Sequence, residues 1–215
     1  MEVEVLIKRA EGYQPYTVEV YKGMTILDLL NAIKEKDPTL SYRHFCRAGV
    51  CGTCAVRVNS KPVLACSTKV EGLDTPIKIE PLYNFPVIKD LVVDHEPLID
   101  RVKGLFSRNG LVDQDEWTYR SYECILCGVC DEVCPVLAES HAFGGPMYFL
   151  RAYKHIKEVY PSLKEKFIQL CTHCNNCSLA CPKRLFPETA IRKEENYLQE
   201  LGLLPKPAGF DFLSF

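Results

Sequence analysis

Apolar and charged residues alternate from the start of the chain, with Val3, Val5 and Ile7 set against Glu2, Glu4 and Lys8. A period of two is that of a half-buried strand. Gly12 to Pro15 interrupts the pattern and Tyr16 to Tyr21 resumes it, which predicts a hairpin with a longer loop. The period then changes. Ile26, Leu29, Leu30 and Ile33 share one helical face, Thr25 stands at the N-cap with Asp28 three residues on, and Asp37-Pro38 stops the helix. Short apolar runs at Ala55–Val58, Pro62–Leu64 and Ile77–Ile79 predict three further strands. From Val87 the pattern passes from linker to helix, with Leu98, Val102 and Leu105 inward, and Gly110 with the polar stretch Asp113 to Glu116 predicts a loop. Gly144-Gly145-Pro146 breaks the chain before a helix from about Met147 to Tyr160, and Ser162 is placed to cap another leading to Cys171. Glu188 to Leu201 predicts a last helix with one solvated, charged face, and Gly202 ends it.

Composition sharpens this outline in one respect. The chain has 215 residues, a charged fraction of 25% and a formal net charge of −2, so a broad nucleic-acid surface is not expected. Twelve cysteines are too many to be incidental. No run of 18 apolar residues exists, so no membrane span is expected. The acidic Met-Glu-Val-Glu start reads as strand rather than leader, which fits a cytoplasmic, reducing setting.

The cysteines fall into three groups. Cys124, Cys127, Cys130 and Cys134 have the spacing C-x2-C-x2-C-x3-C followed by Pro135, and Cys171, Cys174, Cys177, Cys181 and Pro182 repeat it. Three thiolates of such a run wrap one face of a cubane, and the fourth reaches the other cluster, as in bacterial two-cluster ferredoxins. The expected ligation is therefore crossed. Cys124, Cys127, Cys130 and Cys181 hold one 4Fe–4S cluster, and Cys134, Cys171, Cys174 and Cys177 hold the second. Zinc favours paired C-x2-C knuckles over three cysteines in seven residues, and disulfides need an oxidising compartment. The third group, Cys46, Cys51, Cys54 and Cys66, begins C-x4-C-x2-C, the plant-type 2Fe–2S pattern, with Gly49 and Gly52 in the tight loop. Together with the predicted elements this gives an α+β chain. An N-terminal β-grasp 2Fe–2S ferredoxin domain over residues 1–95 is followed by an all-α bacterial-type dicluster ferredoxin domain over residues 96–215.

The order of these groups, with the phrases Glu35-Lys-Asp-Pro38-Thr-Leu-Ser-Tyr-Arg43, Pro81 to Asp94, Tyr122 to Cys127 and Cys181-Pro-Lys, resembles the iron–sulfur subunit of the succinate dehydrogenase/fumarate reductase family over about residues 3–200. The resemblance implies a non-catalytic electron-transfer subunit of an oxidoreductase. Single electrons would pass between a FAD-containing flavoprotein partner, which faces the 2Fe–2S domain, and a quinone- or thiol-linked partner. The complex would lie in the cytoplasm, or peripherally on the membrane through its partners.

Two departures from the family pattern bear on the second partner. Many members lack the second cysteine of the second run and hold a 3Fe–4S cluster there. Here Cys174 fills that position, so a second 4Fe–4S cluster is expected, and a 3Fe–4S cluster only if Cys174 does not ligate. Quinone-linked members place a tryptophan soon after the first run and a histidine after the first cysteine of the second. Those positions are Glu139 and Thr172 here, with His173 one place late and the single tryptophan, Trp117, upstream of both runs. This resembles the branch whose partner carries CCG domains, as in heterodisulfide-reductase-like or thiol-linked fumarate reductases, rather than one with a membrane-anchor subunit. Two other readings stand beside it: an equivalent subunit of another flavoprotein dehydrogenase, and a zinc-stabilised interaction protein. Arg43, Arg47, Lys183 and Arg184 flank the cysteines, either to raise cluster potentials and meet partners or as ordinary solvated charge. The aromatic tail Pro205 to Phe215 suggests either an arm on a partner or packing on its own domain.

Overall fold

A computed structural model describes residues 2–106 and 115–205. Its first half is a mixed sheet and one helix. Strands β1 (Glu2–Arg9) and β2 (Gly12–Glu19) form a hairpin, helix α1 (Ile26–Lys36) follows, and β3 (Ala55–Val58), β4 (Lys61–Leu64) and β5 (Ile77–Glu80) complete the sheet. The order is β2-β1-β5-β3-β4, with β1 and β5 parallel and the other pairs antiparallel. Val5, Ile7, Ile77 and Ile79 on the sheet and Ile26, Leu29, Leu30 and Ile33 on α1 are fully or almost fully buried in one core. The Thr25–Asp28 capping box forms as expected, and the α1 C-cap is Asp37.

The first hairpin is longer than predicted. Gly12 to Pro15 does not form a loop but pairs with Leu6 to Arg9, leaving only Ala10 and Glu11 to turn. Proline gave the opposite expectation because it lacks an N–H. However, β2 lies at the sheet edge, where a missing donor is tolerated. Arg9 then ties the end of β1 to the C-cap of α1 and to the chain beyond the sheet: Nε donates to Asp90 at 2.8 Å and Nη1 to Asp37 at 3.0 Å.

A small hairpin, β6 (Val87–Lys89) and β7 (Val92–Val93), leads into α2 (Glu96–Phe106), with Leu98, Val102 and Leu105 buried as expected. The helical half continues through α3 (Glu116–Tyr122), α4 (Val129–Glu132), α5 (Pro135–Glu139), α6 (Pro146–Ala152), α7 (Ile156–Glu165), α8 (Asn176–Ala180) and α9 (Pro187–Glu200). Every residue of α6 is buried, and it packs against α2, α3, α4 and α9. The solvated face predicted for α9 is present, opposite buried Ala190, Ile191 and Leu198, and Gly202 closes the helix at φ +70°.

Three expectations for this half need correction. Asp115 and Glu116 are not loop, because the Asp115 side chain caps α3 by accepting from Thr118 N–H at 2.7 Å. Gly110, residues 113 and 114 of the predicted loop and the tail beyond Pro205 lie outside the described residues. The single helix expected from Met147 to Tyr160 is two, interrupted by a 3₁₀ turn at Tyr153–His155. That turn places Lys154 over the Tyr122 ring and Tyr153 against Trp117, contacts to which apolar spacing is blind. Ser162 lies inside α7 and caps nothing. Pro161 removes one hydrogen bond from α7 without ending it, and the chain turns instead at Phe167, φ +50°.

The two halves share a polar joint. Glu132, whose side chain is 1% exposed, pairs with Arg57 at 2.7 Å and accepts from the backbone N–H groups of Tyr83 and Asn84 at 3.0 and 2.8 Å. Its neighbour Asp131 pairs with Arg101 at 2.7 Å and accepts from Met147 N–H at 2.9 Å. A buried carboxylate with this many partners is held in one position.

Candidate functional site

The loop from Cys46 to Cys54 winds tightly because Arg47, Gly49 and Gly52 all take positive φ. The turn aims backbone amides at sulfur. Cys46 Sγ accepts from Ala48 and Val50 at 3.4 Å and from Cys51 at 3.3 Å, and Gly49 N–H donates to Cys66 Sγ at 3.3 Å. The Ala48 amide first, then those of Val50 and Cys51, lower the Cys46 thiol to about 6. Desolvation pushes buried Cys54 up to about 12. Cys46 sits at the rim of this loop between Phe45, 81% exposed, and Val50, 60% exposed. Amides directed at sulfur suit a thiolate-ligated cluster and tune its potential.

The eight remaining cysteines line two small cavities. Cys124, Cys127, Cys130 and Cys181 surround one, and Cys134, Cys171, Cys174 and Cys177 surround the other. Each cavity thus takes three thiols from one run and the fourth from the other. Leu185 N–H donates to Cys181 Sγ at 3.5 Å. The local shape repeats between runs. Leu126 and Gly128 in the first and His173 and Asn175 in the second have positive φ at matching positions. Sequence reading did not single out Gly128 and Asn175. The available signal was that Gly and Asn are the residues that enter this region most readily.

Burial makes these thiols poor anions on their own. Desolvation raises Cys124 and Cys171 to about 11 and Cys127 and Cys177 to about 12, and it raises Cys130 and Cys134 as well. Iron held by these thiols would supply the missing countercharge, since a coordinating thiol is deprotonated outright. The all-cysteine donor sets and the sulfur-directed amides fit polynuclear iron–sulfur groups.

The two cavities differ in cover. Cys127 is buried, whereas its counterpart Cys174 is exposed, flanked by exposed Thr172, Asn175 and Asn176. His173 is engaged on both sides, with Nδ1 at 3.1 Å from Glu188 and Nε2 at 2.9 Å from Glu195, and Arg192 also reaches Glu188. Trp117 packs, as Cys124 and Cys181 do, against the cluster of Leu150, Leu185 and Ala190, and Leu150 and Leu185 line the first of the two cavities. Of the flanking cations, Arg43, Arg47 and Arg184 are exposed. Half-buried Lys183 lines the first cavity and lies 3.9 Å from Glu123.

Comparisons with known proteins agree with this layout. Residues 6–100 match a 2Fe-2S iron-sulfur cluster binding domain, and residues 120–185 match a 4Fe-4S dicluster domain. The chain is 32% identical to the fumarate reductase iron-sulfur subunit of Haemophilus influenzae, over 97% of this chain and 98% of that one. It is 35% identical to a subunit of the fumarate reductase (CoM/CoB) of Methanothermobacter marburgensis, over 84% of this chain and 40% of that protein. Its fold is similar to a chain of the Mycobacterium smegmatis Sdh1 complex in the apo form, with a TM-score of 0.83, 22% identity and coverage of 96% of this chain and 99% of that one.

Proposed function

The chain belongs to the iron–sulfur subunits of the succinate dehydrogenase/fumarate reductase family, and on that premise we propose how its twelve cysteines serve electron transfer and which partners they serve. Cys46, Cys51, Cys54 and Cys66 hold the 2Fe–2S cluster. Cys124, Cys127, Cys130 and Cys181 hold the first 4Fe–4S cluster, and Cys134, Cys171, Cys174 and Cys177 hold the second. The observation that carries this assignment is the pair of separate cavities, each lined by one crossed quartet. A division of the chain at residues 1–95 and 96–215 follows the same logic, since α2 packs on α6 and so belongs with the second half.

The clusters supply one-electron redox chemistry, while the chain fixes their positions, excludes water and sets local charge. The Cys46 rim, with Phe45 and Val50 exposed around it, meets a FAD-containing flavoprotein subunit that carries succinate or fumarate. The Cys174 end meets the second partner. A thiol-linked partner with CCG domains is favoured there over a quinone-binding membrane anchor, because both His173 nitrogens are already engaged by carboxylates and Trp117 lies at the other cavity. The similarity to a CoM/CoB-type fumarate reductase supports the same choice. Among the described residues no helix is long and apolar enough to cross a membrane.

Anaerobic isolation of the native complex, followed by identification of its subunits, tests this reading. A flavoprotein reducing fumarate or oxidising succinate, together with a cysteine-rich soluble subunit, is the expected result. A flavoprotein for another substrate, or a quinone-binding anchor in contact with this chain, would overturn the corresponding half.

A further inference from the structure

The loop bearing Cys51 and Cys54 touches the loop bearing Cys124 and Cys127, and Gly52 makes the contact. A β-carbon at Gly52 would stand 2.8 Å from the Ile125 carbonyl oxygen, 2.9 Å from the Cys127 β-carbon and 3.1 Å from the Cys127 α-carbon. Two of these three atoms belong to backbone, so no side-chain rotation can relieve the overlap. Gly52 also has φ +71°, which an L residue adopts only with strain. The glycine is buried, so the contact is closed to solvent. The approach is braced from outside the cysteines by the Arg57–Glu132 pair and by Asn84, whose side-chain amide donates to the Asp131 and Glu132 carbonyls at 3.0 and 3.2 Å.

We propose that Gly52 is the positioning residue for electron crossing between the two halves, and that Cys127 is the ligand of the next cluster at which the crossing occurs. The inference rests on the ligand assignment proposed above. Gly52 adjoins Cys51 and lies two residues from Cys54, so its absent side chain lets the first ligand loop lie directly on a ligand of the next cluster. One electron crosses at a time. One centre is oxidised by one electron as the other is reduced by one, and no proton moves and no bond forms or breaks.

The test compares wild type with Gly52→Ala in the anaerobically loaded complex. The 2Fe–2S and first 4Fe–4S centres are followed separately by their EPR signals after a reducing pulse. Iron content and the potential of each centre are measured alongside. The expected result is a transfer rate lowered several-fold with loading and potentials unchanged. A wild-type rate, or a slower rate fully accounted for by a shifted potential, overturns the proposal. If the variant does not assemble, wild type decides. Reducing the 4Fe–4S centre should sharply hasten relaxation of the reduced 2Fe–2S signal, and indifference of that signal overturns the close approach. Failure of wild type to hold either cluster would refute the ligand assignment instead.

Discussion

The two bacterial-type cysteine runs have the same spacing and the same turns, yet opposite surroundings. The first, Cys124 to Pro135, is roofed by the N-terminal half. Gly52 lies on Cys127, and a β-carbon on Gly128 would meet Phe85 at 2.7 Å and Leu98 at 3.3 Å. The second, Cys171 to Pro182, has exposed Asn175 at the position of Gly128 and exposed Cys174 at that of Cys127. The local motif therefore sets ligand geometry, while tertiary cover sets role. Cover at Cys127 favours exchange within the chain, and exposure at Cys174 lets the second cluster face another molecule.

The sharpest way to break this contrast is oxidation. Titration with ferricyanide under argon should remove one ferrous iron and one electron from the cluster at Cys174 and leave that at Cys127 whole. A 3Fe–4S signal would then appear that is absent from untreated protein. Equal loss from both clusters, or loss from the first alone, would erase the distinction. Next in size is the matched pair Gly128→Ala and Asn175→Ala. Gly128→Ala combines left-handed strain with overlap on Phe85 and should cost about 2–4 kcal/mol. Asn175→Ala, in open solvent, should cost about 1 kcal/mol or less. Denaturant midpoints of the loaded proteins measure both, and similar losses would show that Phe85 is no real roof.

The smallest effect concerns pH. His95 stacks 5.5 Å from the roofing Phe85, and burial, helped by the nearby Arg43 charge, holds its imidazole below the usual value. The neutral ring is thus the folded form. Its contribution is fully present above about pH 6.5, the unfolded value, and is lost as pH falls through the lower folded value. Denaturant midpoints of wild type should drop between pH 7 and pH 5 by more than those of His95→Gln. Parallel pH profiles would remove His95 from the roof.

Much of this was legible in the chain. Cysteine spacing carries its own geometry, so the crossed quartets could be written down before any coordinates. The Thr25–Asp28 cap and the α1 stripe are local and periodic, and they were read correctly. What escaped was made by residues without periodicity. Glu132 reads as one more charge after Cys130, yet it holds the joint. Phe85 sits in a proline-flanked linker, yet it covers a cluster loop. Pro15 was read as part of a break in the strand pattern, but an edge strand absorbs its missing N–H. Exposure of Cys174 depends on what the rest of the chain leaves uncovered, which no spacing encodes.

The most direct trial is Mössbauer accounting of iron in the complex isolated without air. Three centres on twelve thiolates predict about ten irons per chain, two in a binuclear site and eight in two cubanes. A total near six, or mononuclear metal on either crossed quartet, would contradict the proposed wiring.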